Sequence, residues 1–116
     1  MRLSAMRVPV TDMVESGEFY TILLGKAPEG GDADAGFMVW HLENGDFIIE
    51  PEEPGEFEAG RFLGLSIGVD DIAGFYRQAL DRDIEFAGEP EVQDWGGTLA
   101  HVEDPDGNFL SIVEMP

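Results

Sequence analysis

The sequence has no cysteine, a single lysine and no long apolar run. Without cysteine there is no disulfide framework, no thiolate metal site and no cysteine nucleophile. No stretch approaches the roughly 18 apolar residues of a membrane span. The opening residues, Met1 to Met6, lack the long apolar core of a signal peptide. A cytoplasmic protein that stays out of membranes is therefore expected. Bases are scarce: 6 Lys and Arg stand against 25 Asp and Glu, a formal net charge of −19. Such a field repels nucleic acid and anionic lipid, so neither is expected as a partner, and its self-repulsion opposes compaction at low ionic strength. There is no Ser-His-Asp arrangement and no phosphate-cradling glycine loop. The densest acidic stretch, Glu43 to Glu58, carries seven carboxylates and no base. It lacks the alternating oxygen ligands around a tight glycine turn that calcium loops use, and reads as a solvated face.

What is present suits one small domain, residues 1–116, with 43% hydrophobic residues to build a modest core. One pattern is written twice, in a first module of about residues 1–58 and a second of about 59–116. Val8-Pro9-Val10-Thr11-Asp12 is an alternating strand running into a helix cap, where Asp12 can accept from the free amides of the first turn. Val14, Phe19, Ile22 and Leu23 follow at roughly helical spacing, and Gly25 ends the helix. The second copy is Leu65 to Asp71, capped by Asp71, with Ile72, Phe75, Tyr76, Ala79 and Leu80 as its apolar stripe. Each helix leads into a hairpin. Phe37–Leu42 and Phe47–Glu50 flank Asn44-Gly45, a signal for a two-residue type I′ turn. Gly97–Val102 and Phe109–Val113 flank the turn formers Asp104-Pro105-Asp106-Gly107-Asn108. The loops 27–35 and 87–94 each have room for a short edge strand. The expected fold class is α+β: two βαβββ modules, their antiparallel sheets curled around a shared cavity with the helices outside.

This organisation resembles the vicinal-oxygen-chelate (glyoxalase/bleomycin-resistance/extradiol-dioxygenase-like) superfamily over essentially the whole chain. The most specific match is Trp95-Gly96-Gly97 through Asp104-Pro105-Asp106-Gly107-Asn108 to Glu114, supported by Val10-Thr11-Asp12, a helix, and Phe19-Tyr20-Thr21-Ile22-Leu23-Leu24-Gly25. The Asp-Pro-Asp-Gly-Asn turn is structural, because proline fixes φ and Gly or Asn tolerates positive φ. The resemblance implies four metal ligands, usually His and Glu, one on each of four inner strands. By strand register those positions hold Ala5, Glu50, Gly64 and Ser111. One carboxylate is not a divalent metal site, so no metal and no cofactor is expected.

Strand alternation supplies the candidate ligand-binding residues. If Ala5, Gly64 and Ser111 face inward, so do Arg7, Pro9, Ser66, Gly68, Phe109 and Val113, while Val8, Val10, Leu65, Ile67, Leu110 and Ile112 face the helices. Arg7 is one of six cations, set mid-strand on this face, and its guanidinium suits a carboxylate or phosphate; the competing role is an ion pair with Glu50. With Asn44-Gly45 as the turn, His41 pairs with Ile48 and Val39 with Glu50. His41 and Glu50 then become diagonal neighbours at roughly 7–8 Å, a weak candidate acid–base pair. Trp95 offers an aromatic wall or a cover for the sheet edge. The register of His101 stays open. Three functions follow. The first is a binding protein for a small organic ligand, bleomycin-resistance-like, without chemistry. The second is a lyase, isomerase or dioxygenase with a rearranged or metal-free site using Glu50 and His41. The third is a purely structural dimer. Common dimerisation in the superfamily implies a homodimer.

Overall fold

A computed structural model describes residues 1–116 and divides them into two units, Met1–Gly60 and Arg61–Pro116. The first contains β1 (Ala5–Val10), α1 (Met13–Leu24), β2 (Gly30–Asp32), β3 (Phe37–Leu42) and β4 (Gly45–Pro51). The second contains β5 (Phe62–Gly68), α2 (Ile72–Asp81), β6 (Glu85–Phe86), β7 (Glu91–Val92), β8 (Thr98–Glu103) and β9 (Phe109–Glu114). The α+β class and the doubled strand–helix–strands order are as expected. Both anticipated loops carry short edge strands, β2 and β7, and β6 adds another. No helix is long and apolar enough to cross a membrane.

The sheets run β1-β4-β3-β2 and β5-β9-β8-β6, with β7 also on β8, and neither is wholly antiparallel. β1 lies parallel to β4, and β5 parallel to β9. Tight hairpin connections allow only antiparallel pairing, whereas a strand followed by a helical crossover can return parallel. Each module's opening strand is of the second kind, which corrects the all-antiparallel expectation. In β5 the register slips between Phe62↔Phe109 and Ser66↔Ser111. Gly64 sits in that bulge at φ 67°, a left-handed conformation that glycine adopts without steric cost.

Helix α1 starts where Asp12 accepts from the amides of Val14 and Glu15, at 3.0 and 3.1 Å. It ends at Gly25, φ 77°, whose N–H reaches the Thr21 carbonyl. Its buried residues are Ser16, Gly17, Tyr20 and Leu23, not the full expected stripe. Val14 and Ile22 are instead 59% and 40% exposed. They line an apolar groove of about 560 Å³ with Gly17, Pro28 and Met38, in which Glu18 is the charged member. Small Ser16 and Gly17 turn inward, and at Gly17 a β-carbon would lie 2.7 Å from the Met38 sulfur, so a larger residue there would require the Met38 side chain to move. Tyr20 then packs against Trp40 and Phe47, with ring centroids 6.4 and 4.9 Å away, and all three are essentially inaccessible.

Helix α2 has two caps. Asp71 accepts from the Gly74 amide at 3.1 Å, and Glu114, at the end of β9, accepts from the Ile72 amide at 3.0 Å. Two carboxylates at a helix N-terminus satisfy free donors and oppose the helix dipole favourably. Of the expected stripe only Ile72 and Ala79 are buried; Leu80 is 44% exposed.

Candidate functional site

Paired residues share a sheet face, so each sheet has a covered face and a free one. In the first unit Val8, Val10, Trp40, Phe47 and Ile49 form the buried face. Arg7, paired with Ile48, and Pro9, paired with Glu50, belong to the opposite face, as do Val39 and His41. The Arg7 Nε donates to Glu50 Oε1 at 2.5 Å, and the guanidinium carbon lies 5.0 Å from the Phe57 ring centroid. Phe57 comes from a short loop closed by paired backbone bonds with Glu53. The Glu50 hydrogen bond and charge, helped by Glu53, raise the pKa of Arg7 above its ordinary value, so the guanidinium stays charged. With the side chain 60% exposed, the pair orients Arg7 more than it stabilises the fold. Only the Nε edge is engaged, which leaves both terminal nitrogens as donors.

The hairpin register differs from expectation. The two-residue turn is Glu43-Asn44, Leu42 pairs with Gly45, and His41 pairs with Asp46 rather than Ile48. Val39 pairs with Ile48 rather than Glu50. Gly45, at φ 148°, opens β4 instead of forming the corner. Moving the turn by one residue shifts each partner by two, so the faces are preserved while the neighbours change. His41 and Glu50 therefore share a face but are not joined. His41 Nδ1 lies 2.7 Å from Asp46 Oδ1, and Glu50 is held by Arg7. The His41 amide donates to Glu29, and its carbonyl accepts from Lys26 Nζ at 2.6 Å. The His41–Glu50 acid–base pair is thus not assembled in this register.

Asp46, chiefly through its hydrogen bond, raises the His41 pKa above the ordinary value of about 6.5. Because the folded value exceeds the unfolded one, the associated stability is fully present below about pH 6.5 and is lost as pH rises through the folded value. Asp46→Asn is expected to move the His41 titration, followed by NMR, back toward about 6.5. An unchanged midpoint would mean that Asp46 does not hold the imidazole in solution.

In the second unit, Leu65, Ala100, Val102, Leu110 and Ile112 are buried. The opposite face carries Ser66, Ser111 and His101 side by side, with Ser111 itself buried and Phe109 opposite Glu103. The register left open for His101 is now fixed, and it was within reach of the sequence. Pairing Glu103 with Phe109 around the five-residue turn puts His101 opposite Ser111. The imidazole Nδ1 lies 3.0 Å from Ser111 Oγ, and the ring meets Phe62 edge-on at 5.7 Å. Phe57 and Phe62 were not singled out from sequence, since the first lies on an irregular loop and the second precedes the bulge. Trp95 is 53% exposed in the turn between β7 and β8, and its ring lies over Gly97, where a β-carbon would collide with it at 2.0 Å. Its ring thus covers backbone at that turn.

The four positions where the superfamily resemblance puts metal ligands do not fit a metal. Ala5 and Gly64 offer no donor, Ser111 is bonded to His101, and Glu50 is neutralised by Arg7. No group of three or more His, Asp or Glu side chains is gathered to hold an ion.

Comparison with known proteins places this geometry in a family. The profile of the Glyoxalase/Bleomycin resistance protein/Dioxygenase superfamily matches residues 2–112. The bleomycin resistance protein of Klebsiella pneumoniae is 35% identical over 89 residues, covering 70% of this chain and 69% of its own. The crystal structure of the bleomycin resistance determinant encoded on transposon Tn5 superposes with a TM-score of 0.75 at 27% identity, covering 97% of this chain and 96% of its own. TnmS3, an antibiotic-binding protein from Streptomyces sp. CB03234, shares the fold with a TM-score of 0.81 at 21% identity, over 100% and 97% of the two chains. With a free sheet face in each unit and a profile match spanning nearly every residue, the chain belongs to the Glyoxalase/Bleomycin resistance protein/Dioxygenase superfamily.

Proposed function

We propose that this protein binds a small organic ligand in the cytoplasm without transforming it, in the manner of bleomycin resistance proteins, and has lost the superfamily's metal centre. The observation that carries this reading is the content of the four metal positions, Ala5, Glu50, Gly64 and Ser111, whose one carboxylate is tied to Arg7. Nothing else there supplies a Lewis acid. The 35% identity to a bleomycin resistance protein supports binding over turnover. The ligand-contacting residues are Arg7 on the first free face, with Glu50 orienting it and His41 beyond. On the second free face they are Ser66, Phe109 and Ser111. Trp95 is the outermost member of the set. The working assembly is a homodimer.

The test combines metal content with ligand binding. After incubation with nickel, zinc, iron and manganese and then desalting, elemental mass spectrometry is expected to find negligible metal. A thermal-shift screen that includes bleomycin is expected to find saturable stabilisation. Near-stoichiometric metal with turnover would overturn the reading in favour of a lyase, isomerase or dioxygenase built on Glu50 and His41. Arg7→Ala is expected to weaken a carboxylate-bearing ligand by about tenfold, the loss of one charge-assisted contact. Its melting temperature should barely move, because the Arg7–Glu50 pair is exposed. Unchanged affinity would remove Arg7 from the site.

A further inference from the structure

His101 has one ring nitrogen held by a strand neighbour and the other without a protein partner. Its Nδ1 is held 3.0 Å from the hydroxyl of Ser111, a residue only 4% exposed, and its ring edge is held against Phe62. Both neighbours stand on hydrogen-bonded strands, so the imidazole has little rotational freedom. No buried side-chain nitrogen in the chain lacks a hydrogen-bond partner, and no second bond reaches His101. Nε2 therefore has no protein partner and is not sealed from solvent.

The surroundings suit an approaching molecule. Phe62 is 60% exposed and so presents its ring to an approaching molecule. Beside it on β5, a β-carbon added at Gly64 or Gly68 would meet no atom within 4 Å, so the space above that strand is empty. By register the face also carries Glu85, Glu91 and Glu103, with no lysine or arginine on its strands. Such a face disfavours an anion.

We infer that His101 is a ligand-recognition residue, positioned by Ser111, and that it takes an uncharged aromatic group bearing a hydroxyl or ring nitrogen. The ring lies against Phe62 and the polar atom bonds Nε2. Aromatic edge and face contacts supply affinity beyond buried area, and a pre-oriented imidazole supplies direction. This inference rests on the ligand-binding reading above and specifies the chemistry of one of its faces.

The test uses phenol, benzoate and cyclohexanol as probes, read by NMR at the His101 ring nitrogens. Phenol is expected to give saturable shifts at Nε2, with benzoate repelled and cyclohexanol weaker. His101→Asn keeps a nitrogen near the Nδ1 position and so preserves the Ser111 contact. It is expected to weaken phenol by about tenfold at an unchanged melting temperature. His101→Gln, which keeps a nitrogen nearer the Nε2 position, is expected to retain more of the affinity. Phenol that fails to saturate, or that binds His101→Asn as well as the parent, would overturn the inference. A bleomycin titration of both proteins separates the two readings. Equal bleomycin binding would remove His101 and leave the ligand reading standing, whereas no binding of either compound to the parent would sink both.

Discussion

Asn108→Ala is expected to destabilise the second unit by about 2–4 kcal/mol, the range for stripping a partner from a buried charged group. Asn108 is fully buried and Asp104 is 4% exposed. The Asp104 carboxylate accepts from the amides of Asp106 and Asn108 through one oxygen, both at 2.9 Å, and from Asn108 Nδ2 through the other, at 2.9 Å. Asn108 Oδ1 in turn accepts from the Arg61 amide at 3.4 Å. Alanine at 108 leaves the second carboxylate oxygen without that donor, in a place where solvent cannot replace it. The turn is thus a polar plug at the base of β8 and β9. Equilibrium urea denaturation checks the value, with Asp106→Ala as a comparison that spares every side-chain bond just described. If Asn108→Ala cost no more than that comparison, the plug would contribute little.

Trp40→Ala is expected to cost about 3–5 kcal/mol, a large part of the roughly 5–15 kcal/mol available to a domain of this size. Trp40 is fully buried, lies 6.1 Å from Phe47 and 6.4 Å from Tyr20, and donates its indole N–H to the Lys26 carbonyl at 2.9 Å. Truncation removes the centre of the aromatic cluster and strands a carbonyl, and the cavity lies between a helix and a sheet that cannot both close in. Trp95→Ala is the control: being half exposed and packed on Gly97, it should cost about 1 kcal/mol or less. Because each variant removes one of the two tryptophans, far-ultraviolet circular dichroism, which needs neither, gives the assay its signal. Similar losses for Trp40→Ala and Trp95→Ala would contradict the assignment of the core to this cluster.

Local features were legible in the sequence because local physics sets them. The caps at Asp12 and Asp71, the stop at Gly25 and the strand pair around Asp104–Asn108 all follow from neighbours a few residues apart. The hairpin at residues 43–46 was read one residue late, since Asn44-Gly45 suits a type I′ turn by composition while the Trp40↔Phe47 pair decides the register. Faces survived that error because alternation depends only on parity. The α1 stripe misled for another reason. Val14 and Ile22 look like core by hydropathy, yet Gly17 and Ser16 allow the closer approach that buries Tyr20 instead. The Arg7–Glu50 pair was foreseen as one alternative for Arg7. Asp46 on His41 and Glu114 on α2 were not foreseen. The first depended on a misread register, and the second joins residues 42 positions apart.

The strand β9 is tied at both ends to the segment that opens its unit. Near its start, Asn108 and Phe109 bond the backbone of Arg61; at its end, Glu114 caps the first turn of α2. During synthesis, therefore, β5 and α2 emerge without their partner strand and without one of the helix caps. These long-range closures are slow to find and give no stability until the intervening loop is closed. The second unit should remain a loose intermediate until β9 is available to pair, and only then collapse in one step. The first unit, whose corresponding pairing joins β1 to β4, can complete its sheet long before that.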